Sequence, residues 1–194
     1  MMNLLSKQLS LDDFILAMLQ VPIAKLQLDQ LQDWVSRLTL KDDLFDRHIT
    51  FKPDTYQRRL LCRTPRFDML ILCWQPGQQS SIHDHQESLN VTRVYRGQLT
   101  SRGFQAIDRS PSLSFTNQCS DPTASCSMPL HLCQEVQLEK SDLAVVDRHS
   151  IHQLANAADE NLVTLHVYAR PLQKLAVYCP QSGKSQLLPV HYSE

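Results

Sequence analysis

The sequence lacks a charge excess of either sign: 19 Lys and Arg stand against 20 Asp and Glu, a formal net charge of −1 over 194 residues. Nucleic acid and anionic membranes attract strongly basic surfaces, so neither is expected as a partner. No apolar run approaches the roughly 18 residues that a membrane span requires. The opening Met1-Met2-Asn3-Leu4-Leu5-Ser6-Lys7 has no basic segment leading into an apolar stretch and a small-residue cleavage site. A cytoplasmic monomer acting on a small soluble molecule is therefore expected. CxxC spacing is also absent, and Cys62, Cys73, Cys119, Cys126, Cys133 and Cys179 are expected to be free thiols in that compartment. Cys119, Cys126 and Cys133 stand seven apart, but a zinc site needs more closely spaced pairs.

What is present divides at about residue 48. From Leu11 to about Leu40 apolar residues recur at helical spacing, in Phe14-Ile15-xx-Met18-Leu19 and Leu28-xx-Leu31-xx-Trp34-Val35-xx-Leu38, which predicts two helices. Ser10 is placed to cap the first, with Asp12 and Asp13 favouring the dipole, and Val21-Pro22 marks the break between them. From Ile49 onward short runs rich in Val, Ile, Leu, Thr and aromatics alternate with turn residues. The expected strands are 56–62, 68–74, 88–95, 98–106, 131–138, 143–147, 152–156, 162–168 and 174–178. Many short strands at even spacing indicate a sandwich or barrel. Residues 110–128, with two prolines and six serines, read as an insertion or mobile loop. The organisation expected is one domain over 1–194, with a helical segment over 1–48 and a barrel over 49–180.

Chemistry concentrates in Gln75 to His85, after the apolar strand Met69 to Trp74. Two histidines at i and i+2 on an extended chain face the same way, so His83 and His85 can reach one metal while Asp84 points away. Imidazole suits Fe, Zn, Ni and Cu alike, and the pair alone does not choose among them. Gly77 precedes His83 by six residues and Gly97 follows His85 by twelve, a spacing similar to the first cupin motif. Asp142 to Asn156 resembles the second motif, with His152 and Asn156 matching its closing H-x3-N. The resemblance implies a mainly β, jelly-roll-like cupin barrel in which His152 joins His83 and His85 on one metal. His149 occupies the place of a turn glycine in that motif and is read as a turn or pocket residue. His48, His131 and His191 lie outside any such context.

Many cupins carry a ligating glutamate where this chain has Asn90. Three neutral imidazoles leave a bound Fe(II) with more positive charge than a two-histidine, one-carboxylate set, which favours capture of a thiolate. From about Tyr56 to Pro171 the chain resembles the cysteine dioxygenases, thiol dioxygenases of the cupin fold. The resemblance rests on Leu70-Ile71-Leu72-Cys73-Trp74, on Gly77 with Ser80-Ser81-Ile82-His83-Asp84-His85, on Ile151-His152 with Asn156, and on Thr164-Leu165-His166-Val167-Tyr168.

That resemblance implies oxidation of L-cysteine by O2 to cysteine sulfinic acid on Fe(II). It implies Arg58, in Tyr56-Gln57-Arg58, as the carboxylate clamp and Tyr56 as a substrate-binding residue beside it, with Arg59 facing the other way on a strand. It further implies Tyr168 as the hydroxyl near the reacting sulfur, with His166 fixing that hydroxyl and Thr164 continuing the relay. Two departures stand out. Asn90 replaces the cysteine that mammalian members link to the tyrosine, so no crosslink is expected. Ala169-Arg170-Pro171 replaces a Ser-Pro-Pro run, which makes Arg170 a second candidate for a carboxylate. The alternatives are a dioxygenase of 3-mercaptopropionate or a related thiol, another metal-dependent cupin enzyme, and a cupin that only binds an effector.

Overall fold

The computed structural model describes residues 8–39, 45–106 and 129–193. Two helices come first, α1 (Leu11–Gln20) and α2 (Leu28–Arg37), followed by eleven described strands. Ser10 caps α1 as expected, its hydroxyl accepting from the Asp13 amide at 3.1 Å. The helix ends at Val21, before Pro22.

The strands are β1 (Gln57–Arg63), β2 (Phe67–Trp74), β3 (His83–Asp84), β4 (Leu89–Arg96), β5 (Leu99–Ala106), β6 (Leu130–Leu138), β7 (Leu143–Val146), β8 (Ile151–Ala155), β9 (Leu162–Ala169), β10 (Lys174–Tyr178) and β11 (Ser185–Pro189). They form two antiparallel sheets, β1-β2-β9-β4-β7 and β11-β10-β3-β8-β5-β6. The chain is mainly β and has the jelly-roll-like cupin fold, with helices at its start.

Two strands escaped the sequence pattern. The two residues of β3 are too few for any alternation to register, and β11 is exposed throughout, with no apolar face to mark it. β11 also carries the six-stranded sheet past the expected barrel boundary at 180. The stretch 110–128, read as an insertion, lies outside the described residues.

The central strands β2, β9 and most of β4 in the five-stranded sheet are buried on both faces, and this positions the site. On one face Phe67, Met69, Ile71, Val91, Val163, Leu165 and Val167 pack against Phe14 and Met18 of α1 and Leu31 and Val35 of α2. Phe14 and Phe67 meet edge to face at 5.9 Å. Arg93 of β4 reaches the helical layer and donates to the Leu38 carbonyl at 2.6 Å, satisfying a backbone acceptor at the end of α2. Since strand side chains alternate, the intervening residues Leu70, Leu72, Trp74, Thr164, His166, Tyr168, Asn90 and Thr92 turn the other way. Leu70, Leu72, Trp74 and Tyr168 join an interior cluster with Leu154 and Leu175 of the six-stranded sheet. Polar residues on that face must therefore find partners inside the protein.

Turn geometry completes the frame. Gly97 has φ 83°, and a Cβ there would meet the Asn161 carbonyl oxygen at 2.6 Å, so only glycine fits between β4 and β5. His149 has φ 62° and a side chain that is 62% exposed. It is the turn residue that its motif position implied.

Candidate metal centre

His83 lies on β3 and pairs directly across the strands with His152 on β8. Opposite residues on neighbouring strands present their side chains to the same face, so both imidazoles enter the interior together. His85 follows two residues after His83 on that same face. The His85 Nε2 lies 3.2 Å from His83 Nε2 and 3.1 Å from His152 Nε2. All three rings are buried. Asp84 does point away: its carboxylate accepts from the Gln86 amide at 2.8 Å and from the Tyr178 hydroxyl at 2.6 Å.

Burial is the chief cause of the depressed basicity of these rings. It pushes His83 down to about 4, and holds His85 and His152 well below the usual histidine range, with neighbouring imidazoles adding to the effect. All three are neutral near pH 7. His83 donates its Nδ1 proton to the Ser81 carbonyl at 2.8 Å, which leaves its Nε2 a bare lone pair. His85 and His152 have Nδ1 atoms that are buried without a protein partner.

Three inward-facing nitrogens on neutral rings cannot all satisfy one another, because His85 Nε2 can give at most one proton to its two neighbours. A cation accepting all three lone pairs resolves this. Nitrogen pairs separated by 3.1–3.2 Å also suit an ion bound at the usual ~2.0–2.1 Å. Among the described residues these three histidines are the group of His, Cys, Asp and Glu with metal-ligand spacing, and no carboxylate belongs to it. Asn90 is not among the three: its amide donates to the Val167 carbonyl at 3.2 Å.

Beside the histidines runs a buried polar row. Trp74 donates its indole N–H to Thr164 Oγ1 at 3.0 Å, and Thr164 Oγ1 lies 2.8 Å from His166 Nε2. At the other ring nitrogen, His166 Nδ1 is 2.9 Å from Thr92 Oγ1 and 3.3 Å from the Tyr168 hydroxyl. Thr92 in turn donates to Asn90 Oδ1 at 3.1 Å. Burial pushes His166 down to about 3, so the ring is neutral and carries one proton.

The proton positions follow from satisfaction. Indole N–H is a donor only, so Thr164 accepts from Trp74 and spends its own proton on His166 Nε2. Thr92 spends its proton on Asn90, so His166 Nδ1 carries the hydrogen and gives it to Thr92. Tyr168 meets the same N–H and cannot donate to it. Its hydroxyl proton has no protein acceptor among the described residues. Burial raises the Tyr168 phenol above its ordinary value, with the nearby Arg58 charge opposing, and the proton stays on oxygen at neutral pH.

The sequence brought out Thr164, His166 and Tyr168 but not Trp74, Thr92 or Asn90 as their partners. Alternation along β2 and β4 places Trp74 and Thr92 on the interior face. The register against β9 that makes them neighbours is a tertiary fact.

Arg58 faces the interior from β1, and its charge disfavours protonation of His83, His85 and His166. It donates to the Tyr56 hydroxyl at 3.0 Å, while the Tyr56 ring stacks on Trp74 at 4.1 Å. Arg59 turns the opposite way and donates to Thr50 Oγ1. Arg170 lies 3.9 Å from the Glu87 carboxylate. It lines a cavity of about 840 Å³ that reaches His85 and includes Arg63, Ser88, Leu172 and Lys174.

The family model for cysteine dioxygenase type I matches residues 13–181, which extends the resemblance beyond 56–171 to take in both helices. Cysteine dioxygenase type 1 of Danio rerio is 28% identical over 116 residues, 59% of this chain and 51% of that protein. The chain thus matches about half the length of this curated relative. Among solved structures, a protein with a double-stranded β-helix domain from Klebsiella pneumoniae is 14% identical at a TM-score of 0.46, covering 75% of this chain and 94% of that one. A cupin superfamily protein from Desulfitobacterium hafniense is 13% identical at a TM-score of 0.42, covering 62% and 83%. With the family model spanning most of its length, the chain belongs to the cysteine dioxygenase type I family.

Proposed function

We propose that the chain is an Fe(II)-dependent thiol dioxygenase that converts L-cysteine to cysteine sulfinic acid, joining both atoms of O2 to the sulfur. The observation that carries this reading is the convergence of three neutral imidazole nitrogens with no carboxylate among them. His83, His85 and His152 hold the ion. Fe(II) bound there supplies the redox chemistry and the positive charge that favours a thiolate.

The remaining roles belong to the chain's own residues. Arg58 receives the substrate carboxylate through its guanidinium fork, steadied by Tyr56. Tyr168 offers its unclaimed proton to the reacting end of the substrate, with His166, Thr164 and Thr92 fixing the direction in which it points. Leu70, Leu72 and Leu154 wall the interior and exclude water. The partners in this reading are a small thiol and O2, and the protein is a cytoplasmic monomer. Within the described residues no helix is long and apolar enough to cross a membrane.

A second reading has one observation behind it. Arg170 lines the cavity that reaches His85, so a thiol with a differently held carboxylate, such as 3-mercaptopropionate, has a cation on its route. Steady-state kinetics of the iron-loaded protein with both thiols, read as oxygen uptake, separates them. Cysteine is expected to have the larger kcat/KM, and a much larger value for 3-mercaptopropionate would overturn the assignment.

A further inference from the structure

β1 and β11 are the outer strands of their sheets, so a seam lies between them on the side of the barrel where Arg58 stands. The segment Val190–Ser193 crosses it. At one end the Val190 amide continues the pairing of β11 by donating to the Gln173 carbonyl at 3.0 Å. At the other, the Ser193 amide donates to the Arg58 carbonyl at 2.7 Å, and the Arg58 amide donates to Ser193 Oγ at 3.0 Å. Both backbone groups that Arg58 presents outward from the edge strand are thus taken up by one residue 135 positions away.

Tyr192, between these ends, is fixed with equal care. Its hydroxyl accepts from Arg63 and lies 3.1 Å from both the Asp68 carboxylate and the Leu172 carbonyl. Asp68 is fully buried, bound twice by Arg63 at 2.8 and 2.9 Å and by the Leu172 amide at 3.2 Å. Arg63 also lies over the Tyr192 ring at 4.7 Å. A buried carboxylate must keep its donors, and Asp68 anchors the segment for that reason. No residue of this network belongs to the metal group.

We propose that Val190–Ser193 is a strap that joins the two sheet edges and positions Arg58, with Ser193 as a positioning residue for recognition of carboxylate-bearing thiols. This rests on reading Arg58 as the carboxylate clamp. An edge strand held on one side only is free to shift, and a guanidinium fork loses its paired hydrogen bonds when displaced by less than an ångström.

The test compares the full chain with Ser193→Pro, which removes both bonds to Arg58, Ser193→Thr, which keeps both donors and acceptors, and Arg58→Ala. The probes are L-cysteine and cysteamine, a thiol without a carboxylate, measured by anaerobic titration of the iron-loaded protein and by steady-state kinetics. Ser193→Pro should weaken cysteine binding and raise its KM about tenfold, the order expected for two lost hydrogen bonds. It should keep kcat and iron content within twofold, leave cysteamine unaffected, and speed hydrogen exchange at the Arg58 amide. Ser193→Thr should behave as the parent.

The proposal is overturned if Ser193→Pro binds cysteine normally while Arg58→Ala does not, which leaves the clamp standing without the strap. It is equally overturned if cysteine and cysteamine weaken together. If Arg58→Ala itself binds cysteine normally, the clamp reading fails and the strap proposal with it. Should Ser193→Pro fold poorly, Ser193→Ala, which loses only the Oγ acceptor, must show the same selective direction at about threefold.

Discussion

Thr92 Oγ1 lies 2.9 Å from His166 Nδ1, closer than the Tyr168 hydroxyl at 3.3 Å, and this ordering commits the single ring proton of His166 to Thr92. The Tyr168 proton is left without a protein acceptor among the described residues. Thr92→Val should break the relay by leaving the buried Asn90 oxygen without its donor and the His166 N–H with only the longer contact to Tyr168, at a cost of about 1–3 kcal/mol in stability. Thr92→Ser should retain stability and turnover. Urea midpoints and kcat for the two variants check this, and equal behaviour of Val and Ser would remove Thr92 from the relay.

Tyr168→Phe removes only the hydroxyl from a buried ring that packs edge-on against His85 at 5.0 Å. Iron content should be unchanged and turnover lost. Metal analysis alongside oxygen uptake reads both, and full activity would take the phenol out of the chemistry.

Arg58→Lys keeps the charge but loses the fork. A charge-assisted hydrogen bond is worth about 1.5–3 kcal/mol, so KM for cysteine should rise roughly 10- to 100-fold with a smaller change in kcat. An unchanged KM would move carboxylate recognition to another residue, with Arg170 next in line.

The metal-free protein should lose stability on acidification. His166 titrates near 3 in the fold against 6.5 for an ordinary histidine, so between these values the unfolded chain binds the additional proton. Its contribution is complete above about pH 6.5 and is lost as pH falls toward 3, by up to about 1.4 kcal/mol per pH unit. Urea midpoints between pH 4 and 7 should rise with pH, and His166→Gln should reduce the slope by its own share, with His83, His85 and His152 supplying the rest.

Much of this is legible in the sequence. Helical spacing around Phe14 and Leu31 and the i, i+2 placement of His83 and His85 are local patterns, and local geometry honours them. His149 stood in a glycine position and adopts the positive φ that the position demands. Other features depend on which strands become neighbours. That Thr92 meets His166 follows from the register of β4 on β9, and that Ser193 grips Arg58 follows from two distant segments crossing one seam. Neither leaves a periodic signal. β11 was missed because an exposed strand has no buried face for the sequence to mark.

One measurement reaches both the three-histidine centre and its proposed reaction. Fe(II)-loaded protein and its His83→Ala, His85→Ala and His152→Ala variants are given L-cysteine under 18O2, with bound metal quantified and the product weighed by mass spectrometry. The expected result is cysteine sulfinic acid carrying two 18O atoms from the parent, and neither iron nor product from the variants. Tight zinc with no oxygen consumed, or a variant that keeps its iron and its turnover, would contradict it.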